Sequence, residues 1–159
     1  MDKRYVEAVC HTRDCILANQ TFTCPQSSPE IEMIRLLLVD DEPTVLKGLR
    51  MRLAAEPDVS VVGEATNGET ALTLTQTLLP DVVVMDFEMP RMDGIATTEA
   101  LHTICPNAAV IILTIRDDAV AQARAEDAGV SAFITKRASM DELLAAIRQA
   151  ASKVMWHSC

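Results

Sequence analysis

The residues of this sequence that could do chemistry stand at the ends of short apolar runs. Asp40 and Asp41 follow one run, Asp86 ends a second, Thr114 ends a third and Lys136 follows a fourth. If these side chains converge, the three like charges repel strongly unless a cation joins them. Carboxylate oxygens are the ligands that Mg²⁺ prefers. A carboxylate beside Mg²⁺ and a lysine can act as a nucleophile toward a phosphoryl group.

Each of these residues also has an ordinary structural explanation when it is taken singly. An aspartate after a strand often caps the next helix, and Asp41 fits that role. A threonine at a strand end commonly satisfies a backbone group, and a lone lysine is commonly solvated. These explanations fail for the set as a whole, because none of them offsets the repulsion among three neighbouring carboxylates.

Five short apolar runs predict the strands that must position these residues. Several runs are continuous rather than alternating, which is typical of strands buried on both faces of a parallel sheet. The predicted strands are Ile34–Val39, Val59–Val62, Asp81–Met85, Ala109–Thr114 and Ser131–Thr135.

The segments between the strands carry helix signals. Leu46, Leu49 and Leu53 recur on one face of the first helix, and Leu72 and Leu79 lie on neighbouring turns of the second. Turn and capping residues bound the helices. These boundary signals are Pro43 in the first helix, Asn67-Gly68 before the second, Gly94 before the third, Asp117-Asp118 and Gly129 around the fourth, and Ser139-x-x-Glu142 at the fifth.

Strands and helices that alternate in this way predict an α/β fold. We expect a doubly wound (βα)5 parallel sheet with helices on both faces, the flavodoxin-like three-layer sandwich. Right-handed crossovers favour the strand order 2-1-3-4-5. In such sheets, ligands bind beyond the carboxyl ends of the strands, where the strand order reverses. The carboxylates, the hydroxyl and the ammonium are therefore predicted to share one crevice.

Residues 34 to about 153 resemble the receiver domain of two-component response regulators over its full length. Four stretches carry the resemblance, in order and at family-like spacings: Leu-Val-Asp40-Asp41-Glu42-Pro, Val-Met-Asp86-Phe-Glu-Met-Pro90-Arg-Met-Asp-Gly94, Ile-Leu-Thr114 and Ala-Phe133-Ile-Thr-Lys136. The resemblance implies that Asp86 accepts a phosphoryl group from a histidine kinase. It also implies that Asp40 and Asp41 help to bind Mg²⁺.

The resemblance implies roles for four further residues. The backbone carbonyl of Glu88 would supply another metal ligand, and Lys136 would pair with the phosphoryl group. Thr114 would hydrogen-bond the phosphoryl group, and Phe133 would be the aromatic residue that reorients on activation.

The sequence departs from the family pattern beside these residues. Arg137 follows the lysine where proline, preceded by a cis peptide, is common, so the isomer of the Lys136–Arg137 bond stays open. Ile115 stands at a position that a small residue usually occupies in the family. Glu88 and Arg116 occupy variable positions that influence the phosphate lifetime in the family.

The expected function is that of a phospho-acceptor signalling domain whose partner is a sensor histidine kinase. We expect no enzymatic activity beyond promotion of its own phosphorylation and dephosphorylation. Phosphorylation is expected to switch the surface of the fourth helix, fifth strand and fifth helix, which then forms a homodimer or binds a partner. Asp-Phe-Glu-Met-Pro and Lys136-Arg-Ala-Ser look most like regulators with helix-turn-helix DNA-binding outputs, and the chain ends at Cys159 after the predicted fifth helix. A receiver belonging to a longer transcription regulator is therefore an alternative to a stand-alone one.

Two other classes of function are less favoured by the residues. A Mg²⁺-dependent phosphohydrolase of the haloacid dehalogenase type would need Asp-x-Asp after the nucleophilic strand, and Asp86-Phe87-Glu88 does not provide it. A purely structural receiver-like module would not need all five of the acceptor, acidic-pair, hydroxyl and lysine positions, which this sequence retains.

The overall composition excludes several partners. The net charge is −9 at pH 7 and aromatic residues make up only 3% of the chain. Phosphate backbones and anionic lipids attract clustered Lys and Arg, and base stacking needs aromatic rings, so we expect no nucleic-acid or membrane contact. No run approaches the roughly 18 apolar residues of a membrane span, and the N-terminus does not read as a signal peptide. A cytoplasmic location is expected.

The first part of the chain has a different pattern from the rest. We expect a loosely ordered extension over residues 1–33, a receiver domain over 34–155 and a tail over 156–159, with Met33 as a candidate original start. Zinc binding by Cys10, His11, Cys15 and Cys24 is an alternative that their spacing disfavours. These cysteines, with Cys105 and Cys159, are expected to be free thiols.

Overall fold

The computed structural model describes residues 32–116 and 118–155. Across these residues, five strands form one parallel sheet of order β2-β1-β3-β4-β5, and five helices connect them. The predicted doubly wound topology is confirmed. The elements are β1 Ile34–Val39, α1 Pro43–Leu53, β2 Val59–Ala65, α2 Gly68–Leu78, β3 Val82–Asp86, α3 Gly94–Ile104, β4 Ala109–Thr114, α4 Ala119–Asp127, β5 Ala132–Thr135 and α5 Met140–Met155.

Several predictions fall outside the described residues. The N-terminal extension lies there apart from its last two residues, so the domain boundary at residue 33 stays a prediction. The zinc alternative, four of the five cysteines, Asp117 and the tail at 156–159 lie there as well. Within the described part of the chain, no helix is long and apolar enough to cross a membrane.

The central strands separate two aliphatic clusters, one on each face of the sheet. β3 and β4 are buried along their whole length, as their continuous apolar runs predict. Leu36 and Leu38 of β1 join the cluster that includes residues of α1 and α5. Leu37 and Val39 join the opposite cluster, with residues of α2 and α3. The alternation of side chains along β1 thus divides the helices between the two faces.

Capping side chains lie at the starts of α2, α4 and α5. Asn67 accepts a hydrogen bond from the Thr70 N–H, and Asp118 accepts one from the Val120 N–H. Ser139 and Glu142 hydrogen-bond each other's backbone N–H groups, which is the predicted capping box. These bonds satisfy amide groups that have no partner within the helix.

The second helix differs from the prediction at its end. The sequence predicts Leu79 within the helix, on the turn next to that of Leu72, yet Leu79 follows the last helical residue with φ 48° and is 62% exposed. The buried side chains of the helix are those of Ala71 and Thr75. The Leu79 N–H donates a hydrogen bond to the Thr75 carbonyl. The left-handed residue ends the helix before Pro80, because a residue that precedes proline disfavours the helical region.

The loop between β3 and α3 depends on a close backbone approach at Gly94. Its N–H donates to the Phe87 carbonyl at 3.0 Å, and a Cβ on Gly94 would lie 2.6 Å from the Asp86 carbonyl oxygen. Gly48, in the interior of α1, has no heavy atom within 4 Å of the equivalent Cβ position. The two glycines therefore differ in what a methyl group would meet.

We predict opposite effects of alanine at these two glycines. Gly94→Ala should lower the free energy of unfolding by about 1–3 kcal/mol, because the added methyl group cannot fit without backbone movement. Gly48→Ala should raise it by about 0.5–1 kcal/mol, because alanine is the better helix former. Urea denaturation monitored by circular dichroism measures both, and an unchanged midpoint for Gly94→Ala would contradict the close approach.

Candidate functional site

The structure brings the predicted site residues to one edge of the sheet. Asp40 directly follows β1, Asp86 is the last residue of β3, Thr114 is the last residue of β4, and Lys136 directly follows β5. These four strands are adjacent in the sheet and parallel, so their carboxyl ends lie side by side. Asp41 is the next residue along the same loop as Asp40.

Three carboxylates meet at this edge. Asp40, Asp41 and Asp86 each offer one carboxylate oxygen, and these oxygens all lie within 4.8 Å of one another. Asp40 and Asp86 are buried, whereas Asp41 is exposed. Hard, negatively charged oxygens with one open side form a donor set that fits Mg²⁺, which binds through few carboxylates and keeps several waters.

The Lys136 ammonium group lies between the two buried carboxylates. Its Nζ is 2.7 Å from Asp40 Oδ2 and 3.3 Å from Asp86 Oδ1. Burial alone would lower the pKa of Lys136, but the hydrogen bond to Asp40 and the negative charges of both carboxylates raise it above its ordinary value. The Lys136 N–H also donates to the Thr114 carbonyl at 2.6 Å, which fixes the lysine beside the end of β4.

The two buried aspartates have different surroundings. Asp40 uses both oxygens on protein groups, because Oδ1 accepts from the Glu42 N–H at 2.9 Å and Oδ2 accepts from Lys136. The pKa of Asp86 is raised to about 6, mainly because burial disfavours its charged form. The positive charge of Lys136 opposes this rise, and the negative charge of Asp40 adds to it. A bound cation would therefore stabilise the charged form of Asp86.

The loops that follow β3 and β4 meet through exposed side chains. The Thr114 hydroxyl is buried and accepts a hydrogen bond from the Arg116 N–H at 3.0 Å. Arg116 Nε lies 3.1 Å from a carboxylate oxygen of Glu88, although both side chains are largely exposed. The predicted role of the Glu88 backbone carbonyl as a metal ligand stays a prediction. Ile115, between Thr114 and Arg116, is 60% exposed.

An aromatic contact lies beside the end of β3. Phe133 of β5 is partly buried, and its ring meets that of Phe87 edge to face, with centroids 6.1 Å apart. The sequence singles out Phe133 through the family resemblance, but it gives Phe87 no role. No cis peptide bond occurs among the described residues, so the Lys136–Arg137 bond is trans.

Comparison with known proteins identifies the family of this fold and site. The response regulator receiver domain matches residues 36–148. The chain belongs to the response regulator receiver family. Its fold is shared with the response regulator domain of Thermotoga maritima CheB, at 34% identity and a TM-score of 0.70, over 76% of this chain and 97% of that one.

Curated relatives of this receiver are longer proteins. It is 41% identical to the transcriptional regulatory protein LiaR of Bacillus subtilis, over 76% of this chain and 57% of LiaR. It is 42% identical to protein-glutamate methylesterase/protein-glutamine glutaminase 2 of Methanospirillum hungatei, over 65% of this chain and 30% of that protein. The receiver thus spans between about a third and just over half of these relatives.

We predict that Asp86 destabilises the metal-free receiver as the pH rises. The pKa of Asp86 is about 6 in the folded protein, against 3.8 for an ordinary aspartate in the unfolded chain. Because the folded state holds the proton more tightly, the free energy of unfolding falls as the pH rises from about 4 to 6. The difference in the free energy of unfolding between Asp86→Asn and wild type should therefore favour the variant more at pH 7.5 than at pH 4. Urea denaturation in EDTA measures this, with the exposed Asp141→Asn as a control. An equal difference at both pH values would contradict the prediction.

Proposed function

We propose that this receiver is a phospho-acceptor in a two-component system and that Asp86 takes the phosphoryl group from a sensor histidine kinase. The observation that supports this most strongly is the Asp86 carboxylate at the end of β3, 3.3 Å from Lys136 Nζ and within 4.8 Å of oxygens on Asp40 and Asp41. A carboxylate in such a setting can act as a nucleophile, with an ammonium group beside it that offsets negative charge on the phosphoryl oxygens.

The proposed reaction transfers a phosphoryl group from a histidine nitrogen to an oxygen of Asp86. An Asp86 oxygen attacks the phosphorus atom of a phosphohistidine, a P–O bond forms, and the P–N bond breaks. The leaving imidazole keeps the electron pair of that bond. Hydrolysis reverses the state of Asp86: water attacks the phosphorus, the P–O bond to Asp86 breaks, and inorganic phosphate leaves.

The neighbouring residues have separate roles in this proposal. Lys136, already charged and within reach of Asp86, binds a phosphoryl oxygen. The Thr114 hydroxyl donates a hydrogen bond to another, while it keeps the bond that it accepts from Arg116. Asp40, Asp41, Asp86 and the Glu88 carbonyl would hold Mg²⁺, which when bound offsets negative charge on the phosphoryl oxygens.

The proposal assigns no external substrate to this chain. One relative is named as a methylesterase and glutaminase, but the match covers only 30% of that protein. The residues at the carboxyl edge account for phosphoryl transfer to and from Asp86 alone. We therefore propose that the receiver promotes its own phosphorylation and dephosphorylation, and that it works in the cytoplasm.

The proposed output is a change in the surface of α4, β5 and α5. α4 buries only Ala121 and Ala125, so small side chains alone attach it to the sheet. A shift of Thr114 toward the phosphoryl group would move the loop into α4 and let Phe133 turn further inward. This surface would then form a homodimer or bind a partner. LiaR is named as a transcriptional regulatory protein, which favours a receiver within a DNA-binding regulator as the second candidate.

We predict that Asp86 is the single site of phosphorylation. Acetyl phosphate with Mg²⁺ should add one phosphoryl group to the wild-type chain, and Asp86→Asn should abolish the addition because it removes the nucleophilic oxygen. Intact-protein mass spectrometry at low pH measures the mass shift. The matched control Asp141→Asn, an exposed acid in α5, should be labelled like wild type. Labelling that survives in Asp86→Asn would disprove the assignment.

We predict that Mg²⁺ affinity depends on Asp41. Mg²⁺ should raise the melting temperature of the wild-type receiver, because it binds the folded state preferentially. Asp41→Ala should weaken the affinity about tenfold or more, since even loss of an indirect ligand partner costs about 10–100-fold. Titration calorimetry measures this against Glu42→Ala, which removes the same charge one residue outside the carboxylate cluster. Equal losses in the two variants would contradict a direct role for Asp41.

A further inference from the structure

The two phenylalanines beside the site are exceptional in this chain. Across residues 34–155, Phe87 and Phe133 are the only residues with phenyl, phenol or indole side chains. Their rings meet each other, with centroids 6.1 Å apart and planes at 77°. An edge-to-face arrangement at this separation is one that aromatic pairs prefer, because a positive ring edge meets a negative ring face. The rest of the surrounding cluster is mainly aliphatic.

The backbone of Phe87 is held from both sides. Its N–H donates to the Leu113 carbonyl at 2.8 Å, and its carbonyl accepts from the Gly94 N–H at 3.0 Å. Phe87 also directly follows Asp86, the proposed acceptor. The ring of Phe87 is therefore carried by a backbone that is fixed in place next to the phosphorylation site.

Phe133 belongs to a strand at the edge of the sheet. β5 is at the edge of the sheet, and all four of its residues are partly exposed. Phe133 lies opposite Ile112 of β4, on the face of the sheet that carries Phe87. Its ring can gain contact by lying against Phe87 or lose it by turning toward solvent. The Phe87 ring is thus placed to favour one position of the Phe133 ring.

We infer that Phe87 is a positioning residue for Phe133, and that their ring contact favours the inward position of Phe133 before phosphorylation. This inference rests on the proposed function, in which the phosphorylated state favours the inward ring. The contact therefore raises the fraction of unmodified molecules that are already in the conformation competent for activation. It acts through Phe133 and not on the phosphoryl group.

The inference has a measurable thermodynamic consequence. When a ligand binds only one of two conformations, its apparent affinity is the intrinsic affinity multiplied by the fraction of molecules in that conformation. Beryllofluoride, a phosphoryl analogue that binds an aspartate oxygen with Mg²⁺, should select the inward state. Loss of the ring contact should weaken its apparent affinity about two- to tenfold, the range expected for one aromatic pair.

The test measures beryllofluoride affinity at saturating Mg²⁺ by titration with NMR detection. The variants are Phe87→Leu, Phe87→Tyr, Phe133→Leu and the double variant Phe87→Leu with Phe133→Leu. Leu72→Ala is the control, because Leu72 packs in the same cluster without an aromatic ring. We expect weaker affinity in Phe87→Leu, recovery in Phe87→Tyr, and no further loss when Phe87→Leu is added to Phe133→Leu. Phe87→Met replaces Phe87→Leu if the latter does not fold.

Three results would overturn the inference and leave the proposed function standing. Wild-type affinity in Phe87→Leu would show that the contact does not bias the switch. An undiminished effect of Phe87→Leu in the Phe133→Leu background would show that Phe87 acts locally on Asp86. An equal loss in Leu72→Ala, with a matching fall in the free energy of unfolding, would show a merely structural role. Failure of the wild-type chain to bind beryllofluoride would instead disprove the proposed function, and the inference with it.

Discussion

The site depends on the contact of the Lys136 ammonium group with two carboxylates, those of Asp40 and Asp86. Asp40 and Asp86 are both buried at the carboxyl edge of the sheet, and two like charges so placed would disfavour the fold without a cation between them. Lys136 reaches both carboxylates from the end of β5. This link requires β1, β3 and β5 to end at the same level, which a parallel sheet with this strand order provides.

The two-faced core explains why the edge can carry so much charge. β3 and β4 are buried along their length between aliphatic clusters, so burial of their apolar side chains stabilises the sheet independently of the site. The polar residues of the site lie at the strand ends, where the backbone turns toward the loops. Charged groups can therefore be placed at this edge without interrupting the packing of the core.

Much of this arrangement could be predicted from the sequence because it depends on short-range patterns. Continuous apolar runs indicate β3 and β4, and the capping box at Ser139 indicates the start of α5. Contacts of side chains other than those at the strand ends could not be predicted in this way. The pairing of Glu88 with Arg116 and the contact of Phe87 with Phe133 depend on how the loops and the edge strand pack. Leu79 follows the helical period, but the proline after it makes it end the helix.

The hydrogen bond at Thr114 affects how easily its loop can move. The hydroxyl oxygen accepts the Arg116 N–H, which closes a small turn directly after β4. A hydroxyl group has a hydrogen to donate as well as lone pairs that accept, so a new acceptor on the Asp86 side need not compete with that turn. In the proposed switch, Thr114 and Arg116 would then move together with this hydrogen bond intact. The change in backbone conformation would fall after Arg116, where the chain enters the alanine-rich helix α4.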